Sequence, residues 1–153
     1  MTMMCSDVKA RSLRSAAKRA LMLPEVKFDG VQAREIARGF ADRIARSGYV
    51  CYACAILPRH THLVLGRHRL DVELMTNQLK GAATRALMAA HLHPLQGYRT
   101  KDGKTPSPWG EGLWKVFIDD HAHLRRAVKY VYDNPLREGK KHQEWHFIQP
   151  LPE

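Results

Sequence analysis

The chain has 153 residues, a length typical of one compact domain, and its 44% hydrophobic content is ordinary for a globular protein with a core. Lys and Arg number 25 against 15 Asp and Glu, a net charge of +10 that points to a polyanionic partner, with nucleic acid the commonest. No apolar run approaches the roughly 20 residues that span a bilayer, and the start Met1-Thr2-Met3-Met4-Cys5-Ser6-Asp7 is not a secretion signal, so a cytoplasmic protein without a membrane partner is expected.

Residues 1–28 read as a basic N-terminal arm, with Ala and Leu at helical spacings between Ser12 and Leu23 and Pro24 as a stop. No strand is recognisable there, since Val26-Lys27-Phe28 is too short. Residues 29–153 read as one domain. Asp29-Gly30 caps a helix over about Val31–Ser47, in which Ile36, Phe40 and Ile44 recur every four residues, and Gly48 closes it.

Two strands follow, about Tyr49–Leu57 and His60–Arg67, joined at Pro58-Arg59 by a hairpin turn or a bulge. On the second, His60, His62 and Val64 share one face, and Thr61, Leu63 and Leu65 share the other, which is expected to be buried. The two imidazoles stand roughly 6–7 Å apart along the strand and can hold one divalent ion if a third ligand arrives from elsewhere. Cys51 and Cys54 form a C-x-x-C just before them, so a zinc site of Cys51, Cys54, His60 and His62 is a competing reading. Positions three apart on a strand face opposite sides, which favours two small buried residues instead.

A second helix is expected over about Asp71–Ala90, with Val72, Met75, Leu79 and Ala86 on its apolar stripe and Gly81 permitting a close approach by backbone or ligand. Residues 91–112 read as a long loop, and Leu113–Ile118 as a strand. Trp109 and Trp114 are expected to pack inside, although either could stack a nucleobase. Asp119 or Asp120 caps a third helix from His121 to Asp133, with Pro135 as its stop. Trp145–Ile148 reads as a last short strand.

On the third helix, Leu124, Ala127, Val128 and Val131 make the buried stripe. Tyr130 and Asn134, four apart, lie on one flank of it with His123, while Tyr132 falls on the opposite flank. An ion held by His60 and His62 could take Asn134 as an oxygen ligand and polarise a phosphate, with Tyr130 as the nucleophile.

Three segments carry a family resemblance. Leu57-Pro58-Arg59-His60-Thr61-His62-Leu63-Val64, Lys80-Gly81-Ala82-Ala83-Thr84-Arg85 and Tyr130-Val131-Tyr132-Asp133-Asn134-Pro135, with Trp114-Lys115-Val116-Phe117 before the last, resemble the motifs of the HUH single-tyrosine transposases, which include the REP-associated tyrosine transposases. The resemblance spans about residues 48–148. It implies an α+β fold, a ferredoxin-like antiparallel sheet with packed helices, here expected to lack its first strand. It further implies His60, His62 and Asn134 as ligands of Mg²⁺ or Mn²⁺, and Tyr130 as the nucleophile that cleaves single-stranded DNA carrying hairpins and leaves a 5′-phosphotyrosine. Arg59, Lys80, Arg85, Lys115, Arg126, Lys129 and Arg137 are the cations expected on the DNA. A homodimer and a nucleoid-associated location would fit. The alternative expectation is a degenerate relative that binds structured single strands without cutting. Thr61 departs from the pattern, which has a bulky apolar residue between the histidines.

Overall fold

The computed structural model describes residues 23–153 and, for Thr2–Lys9, the backbone of a strand. The elements run β1 (Thr2–Lys9), α1 (Gly30–Ser47), β2 (Cys51–Ile56), β3 (His60–Leu65), α2 (Val72–Ala89), β4 (Trp114–Ile118) and α3 (His121–Arg137). The sheet order is β2-β3-β1-β4 with every neighbouring pair antiparallel. This is the ferredoxin-like β-α-β-β-α-β unit with one helix added after it.

The strand expected to be missing is therefore present. β1 lies between β3 and β4, with Met4 opposite Val64 on one side and Val116 on the other. Its sequence shows no clean alternation, and its register against β3 slips between Cys5 and Val8, which removes the period that betrays a strand. The helix or arm expected between Ser12 and Leu23 lies outside the described residues, apart from Leu23 itself.

Two cores form, one on each sheet face. On the first, α1 and α2 bury Ile36, Phe40, Met75, Leu79 and Leu87 against Leu63 and Leu65. The capping box expected of Asp29 forms, with Gln32 N donating to Asp29 Oδ1 at 2.8 Å and Asp29 N donating to Gln32 Oε1 at 2.9 Å. The close approach of α1 and α2 falls at Gly39, where a Cβ would stand 2.7 Å from Ala82 O and Ala83 Cα. Gly81 is not that contact, since a Cβ there would meet only Arg85 Nη1 at 3.3 Å. Trp109 packs against Phe28 and Phe40 and ties the long loop to α2 through its indole N–H, which donates to Thr84 Oγ1 at 3.0 Å.

On the second face, Leu124, Ala127 and Val131 of α3 meet Ala53, Ala55 and Val64. Both faces of β3 are thus covered. Pro135 does not stop α3. The helix runs one turn further, with Asn134 and Pro135 buried, and ends at Glu138, whose N–H donates to Pro135 O at 3.1 Å. Burial of the Asn-Pro pair against the sheet overrides the local preference of a residue before proline for extended backbone.

The hairpin reading of Pro58-Arg59 holds, with Leu57 N donating to His60 O at 2.9 Å. Trp145–Ile148 is not a full strand. It contributes one parallel bridge, Ile148 to Cys51, and Gln149 N donates to Cys51 O at 2.8 Å. The C-terminal segment therefore runs along the outer edge of β2. Gln143 grips that edge through Ile56, and His121 at the start of α3 meets Pro152 O at 2.7 Å.

Candidate functional site

β3 presents His60 and His62 on the α3 side of the sheet, with ring centroids 4.7 Å apart and planes at 72°. His62 is only 3% exposed, held below α3, whereas His60 sits nearer the rim with its side chain 24% exposed. Tyr130 of α3 stands edge-on to His62 with ring centroids 6.0 Å apart, and it keeps 39% of its surface open. Two turns further along the helix, Glu138 Oε1 lies 3.8 Å from His60 Nε2. Tyr130 and Glu138 thus bracket the histidine pair from one flank of α3. Asn134, 6% exposed, occupies the turn between them.

Arg137 places its guanidinium carbon 4.3 Å from the centroid of the Tyr130 ring, a cation–π contact that fixes positive charge beside the phenol. Tyr132 faces away, as expected. Its ring stacks on His142 at 4.1 Å, and its hydroxyl donates to Glu144 Oε1 at 2.6 Å, which pushes the phenol's pKa up. Asp133 receives Lys129 at 2.5 Å and His142 at 3.0 Å, and these two partners hold its carboxyl below the usual value. The two tyrosines therefore have opposite surroundings. Tyr130 is open beside two imidazoles and an arginine, and Tyr132 is bound into the C-terminal strap.

The zinc reading fails on geometry. The register of β2 against β3 shifts between Cys51 and Ala53, so Cys51 and Cys54 face the same core rather than opposite sides. Both are buried, and burial raises the Cys51 pKa to about 12 and that of Cys54 well above its ordinary value. They pack with Leu63 and Leu65 on the sheet face opposite the one that His60 and His62 share, so the four side chains do not converge on one ion. Among the described residues, no three His, Cys, Asp or Glu side chains are arranged to hold one ion. A metal on His60 and His62 therefore needs a different third donor, and Asn134 is the amide that the helix brings to their level.

The cations expected on DNA are dispersed. Arg137 lies at the site, and exposed Arg126 precedes Tyr130 by one turn on the same flank. Arg59, beside His60 at the hairpin tip, pairs with Glu25 at 2.8 Å. Lys129 points outward, paired with Asp133. Lys115 pairs with Glu73 of α2 on the opposite sheet face. Lys80 and Arg85 line a separate cavity of about 560 Å³ between α2 and the long loop, together with Gly81, Trp109 and Gly112. Glu138 was not foreseen. Its signal was present as the second i+4 step from Tyr130, but it lies beyond a proline that reads as a helix stop.

No known family profile and no curated protein matches this sequence. Solved structures do match. One is a REP-associated tyrosine transposase bound to a REP hairpin, at a TM-score of 0.55 and 14% identity, covering 90% of this chain and 67% of that one. Another is a candidate transposase from Deinococcus radiodurans R1, at a TM-score of 0.49 and 15% identity, covering 93% and 90% of the two chains. The protein has the tyrosine-transposase fold, an α+β architecture of antiparallel sheet and packed helices. No helix among the described residues is long and apolar enough to cross a membrane.

Proposed function

We propose that the protein is an HUH-type transposase that cleaves and rejoins single-stranded DNA through Tyr130. The observation that carries this reading is the edge-on contact of open Tyr130 with buried His62, within one chain and beside Arg137. The Tyr130 oxygen attacks the phosphorus of a phosphodiester and loses its proton. The bond from phosphorus to the 3′-oxygen breaks, and that oxygen leaves as a hydroxyl once protonated. The 5′-phosphate remains esterified to Tyr130, and attack by a DNA 3′-hydroxyl on this ester restores the strand without an external energy source.

Arg137 lies where it can pair with the phosphate while Tyr130 reacts. His60, His62 and Asn134 form a nitrogen and oxygen donor set that fits Mn²⁺ or Mg²⁺, with positions left for substrate. Such an ion, when bound, polarises a phosphate oxygen and stabilises the charge that develops on it. Arg126 continues the positive flank along α3, and the chain's net charge of +10 favours a polyanion throughout. The substrate proposed is hairpin-bearing single-stranded DNA, a choice supported by the structural neighbour bound to a REP hairpin.

The test is incubation with labelled hairpin DNA and Mn²⁺, followed by denaturing electrophoresis. The wild type and the control Tyr132→Phe, which keeps Tyr130, give a covalent protein–DNA band, and Tyr130→Phe gives none. An adduct with Tyr130→Phe would overturn the assignment of the nucleophile. Binding that persists without any adduct in the wild type would leave a nucleic-acid binder in place of the enzyme.

A further inference from the structure

Trp114 is the most exposed large apolar side chain among the described residues, at 64%. It opens β4, and its orientation follows from the strand's alternation. Ile118 belongs to the core beneath α3, so Val116 and Trp114 face the same side. Lys115 and Phe117 face the other, where Lys115 meets Glu73. Trp114 therefore stands on the sheet face that carries His60 and His62.

The register brings it closer to the site than the sequence suggests. Ser6 of β1 lies opposite Trp114, and its neighbour Cys5 lies opposite Leu63, while Val8 lies opposite Thr61. The row that contains Trp114 thus crosses β1 at its irregularity and reaches β3 at His62. Two strand spacings separate the residues, about 10 Å.

Among the described residues, α3 covers the His62 end of this row and leaves the Trp114 end exposed. It packs chiefly over β2 and β3. Its Tyr132 flank turns to the C-terminal strap at the outer edge of β2, so the flank with Tyr130 and Arg126 looks across β1 towards β4. The nucleophile and an arginine thus stand on one side of β1 and an exposed indole on the other.

We propose that Trp114 is a stacking platform for an unpaired nucleobase adjoining the phosphate at Tyr130. This deepens the reading of the protein as a single-strand DNA transposase and rests on it. An indole standing off a sheet face offers a flat π surface to any base, which holds the strand beside the site without demanding a sequence. It also selects against duplex at this position, because a paired base keeps its faces in its own stack. Pairing of β4 with a second copy of the chain would use the strand's backbone edge and leave the ring uncovered, so it does not explain the exposure.

The experiment measures binding of a hairpin oligonucleotide with unpaired flanks by fluorescence anisotropy, in EDTA so that no cleavage occurs. Trp114→Ala weakens binding about tenfold, within the range for losing one base stack, and Trp114→Phe restores most of it. Abasic nucleotides are then placed one at a time along the flank. One position weakens the wild type by a similar factor and has no further effect on Trp114→Ala. Equal affinity of Trp114→Ala and wild type, or abasic penalties unchanged by the substitution, overturns the platform. So does a change in sedimenting mass with DNA affinity intact, which would assign Trp114 to contact between copies. A wild type that forms adducts while Trp114→Ala binds normally defeats the platform alone. A wild type that forms no adduct but keeps the Trp114-dependent abasic penalty defeats the cleavage reading alone.

Discussion

The side chain of Gln143 and the main chain of Ile56 exchange two hydrogen bonds. The amide nitrogen donates to Ile56 O at 2.8 Å, and Ile56 N donates to the amide oxygen at 2.7 Å. A single glutamine thus stands in for a partner strand at the end of β2. The adjoining His142 and Glu144 hold Asp133 and Tyr132, so the same strap steadies the back of α3. Gln143→Ala leaves both main-chain groups of a part-buried site without this partner. The expected loss is about 1–3 kcal/mol in urea unfolding, with a lower adduct yield as α3 loosens.

Thr61 is 1% exposed, and its hydroxyl has no hydrogen-bond partner among the described residues. Replacement by valine keeps the shape and removes a buried polar atom. Thr61→Val is expected to raise stability by about 1 kcal/mol or more by chemical denaturation. Unchanged stability would mean that the hydroxyl is satisfied in solution.

His93 supplies a pH dependence. Its Nδ1 accepts from Leu95 N at 3.0 Å, its Nε2 is buried without a partner among the described residues, and burial lowers its pKa below the ordinary 6.5. The folded state therefore takes up this proton less readily than the unfolded state. The contribution is complete above about pH 6.5 and declines as the pH falls below that value towards the lowered folded pKa. His93→Asn keeps an acceptor for Leu95 without titrating. Its unfolding midpoint is expected to fall less steeply than that of the wild type between pH 6.5 and 5, as followed by thermal melts.

Metal binding separates the roles of the ligands. Isothermal titration with Mn²⁺ is expected to show one site in the wild type, none in His62→Ala, and at least tenfold weaker binding in Asn134→Ala. Asn134→Asp keeps an oxygen donor and retains the site. Equal Mn²⁺ affinity in Asn134→Ala and wild type would remove Asn134 from the ligand set.

The parts of this site that show in the sequence are those set by local periodicity. His60 and His62 share a face because strands alternate, and Tyr130 and Asn134 share a flank because helices turn every 3.6 residues. Asp29, Gly48 and Pro58 mark element ends through local backbone chemistry. Features set by distant partners do not show in this way. The common face of Cys51 and Cys54 depends on a slip against β3, and the extension of α3 past Pro135 depends on burial against the sheet. Trp109 and Trp114 look alike as letters, but one fills the α1–α2 core and the other stands in the open.

The position of β1 bears on how the molecule assembles. It is synthesised before the other sheet elements, yet Met4 lies opposite Val64 and Val116, so β3 and β4 must both follow before its two borders exist. The β2–β3 hairpin and the α1–α2 pair can form from nearer neighbours. The N-terminal strand then joins two sheet halves that would otherwise remain apart, across the long sequence separations that slow folding. The histidine strand acquires its second neighbour only at that step, so the proposed site would be complete at the close of folding rather than during chain growth.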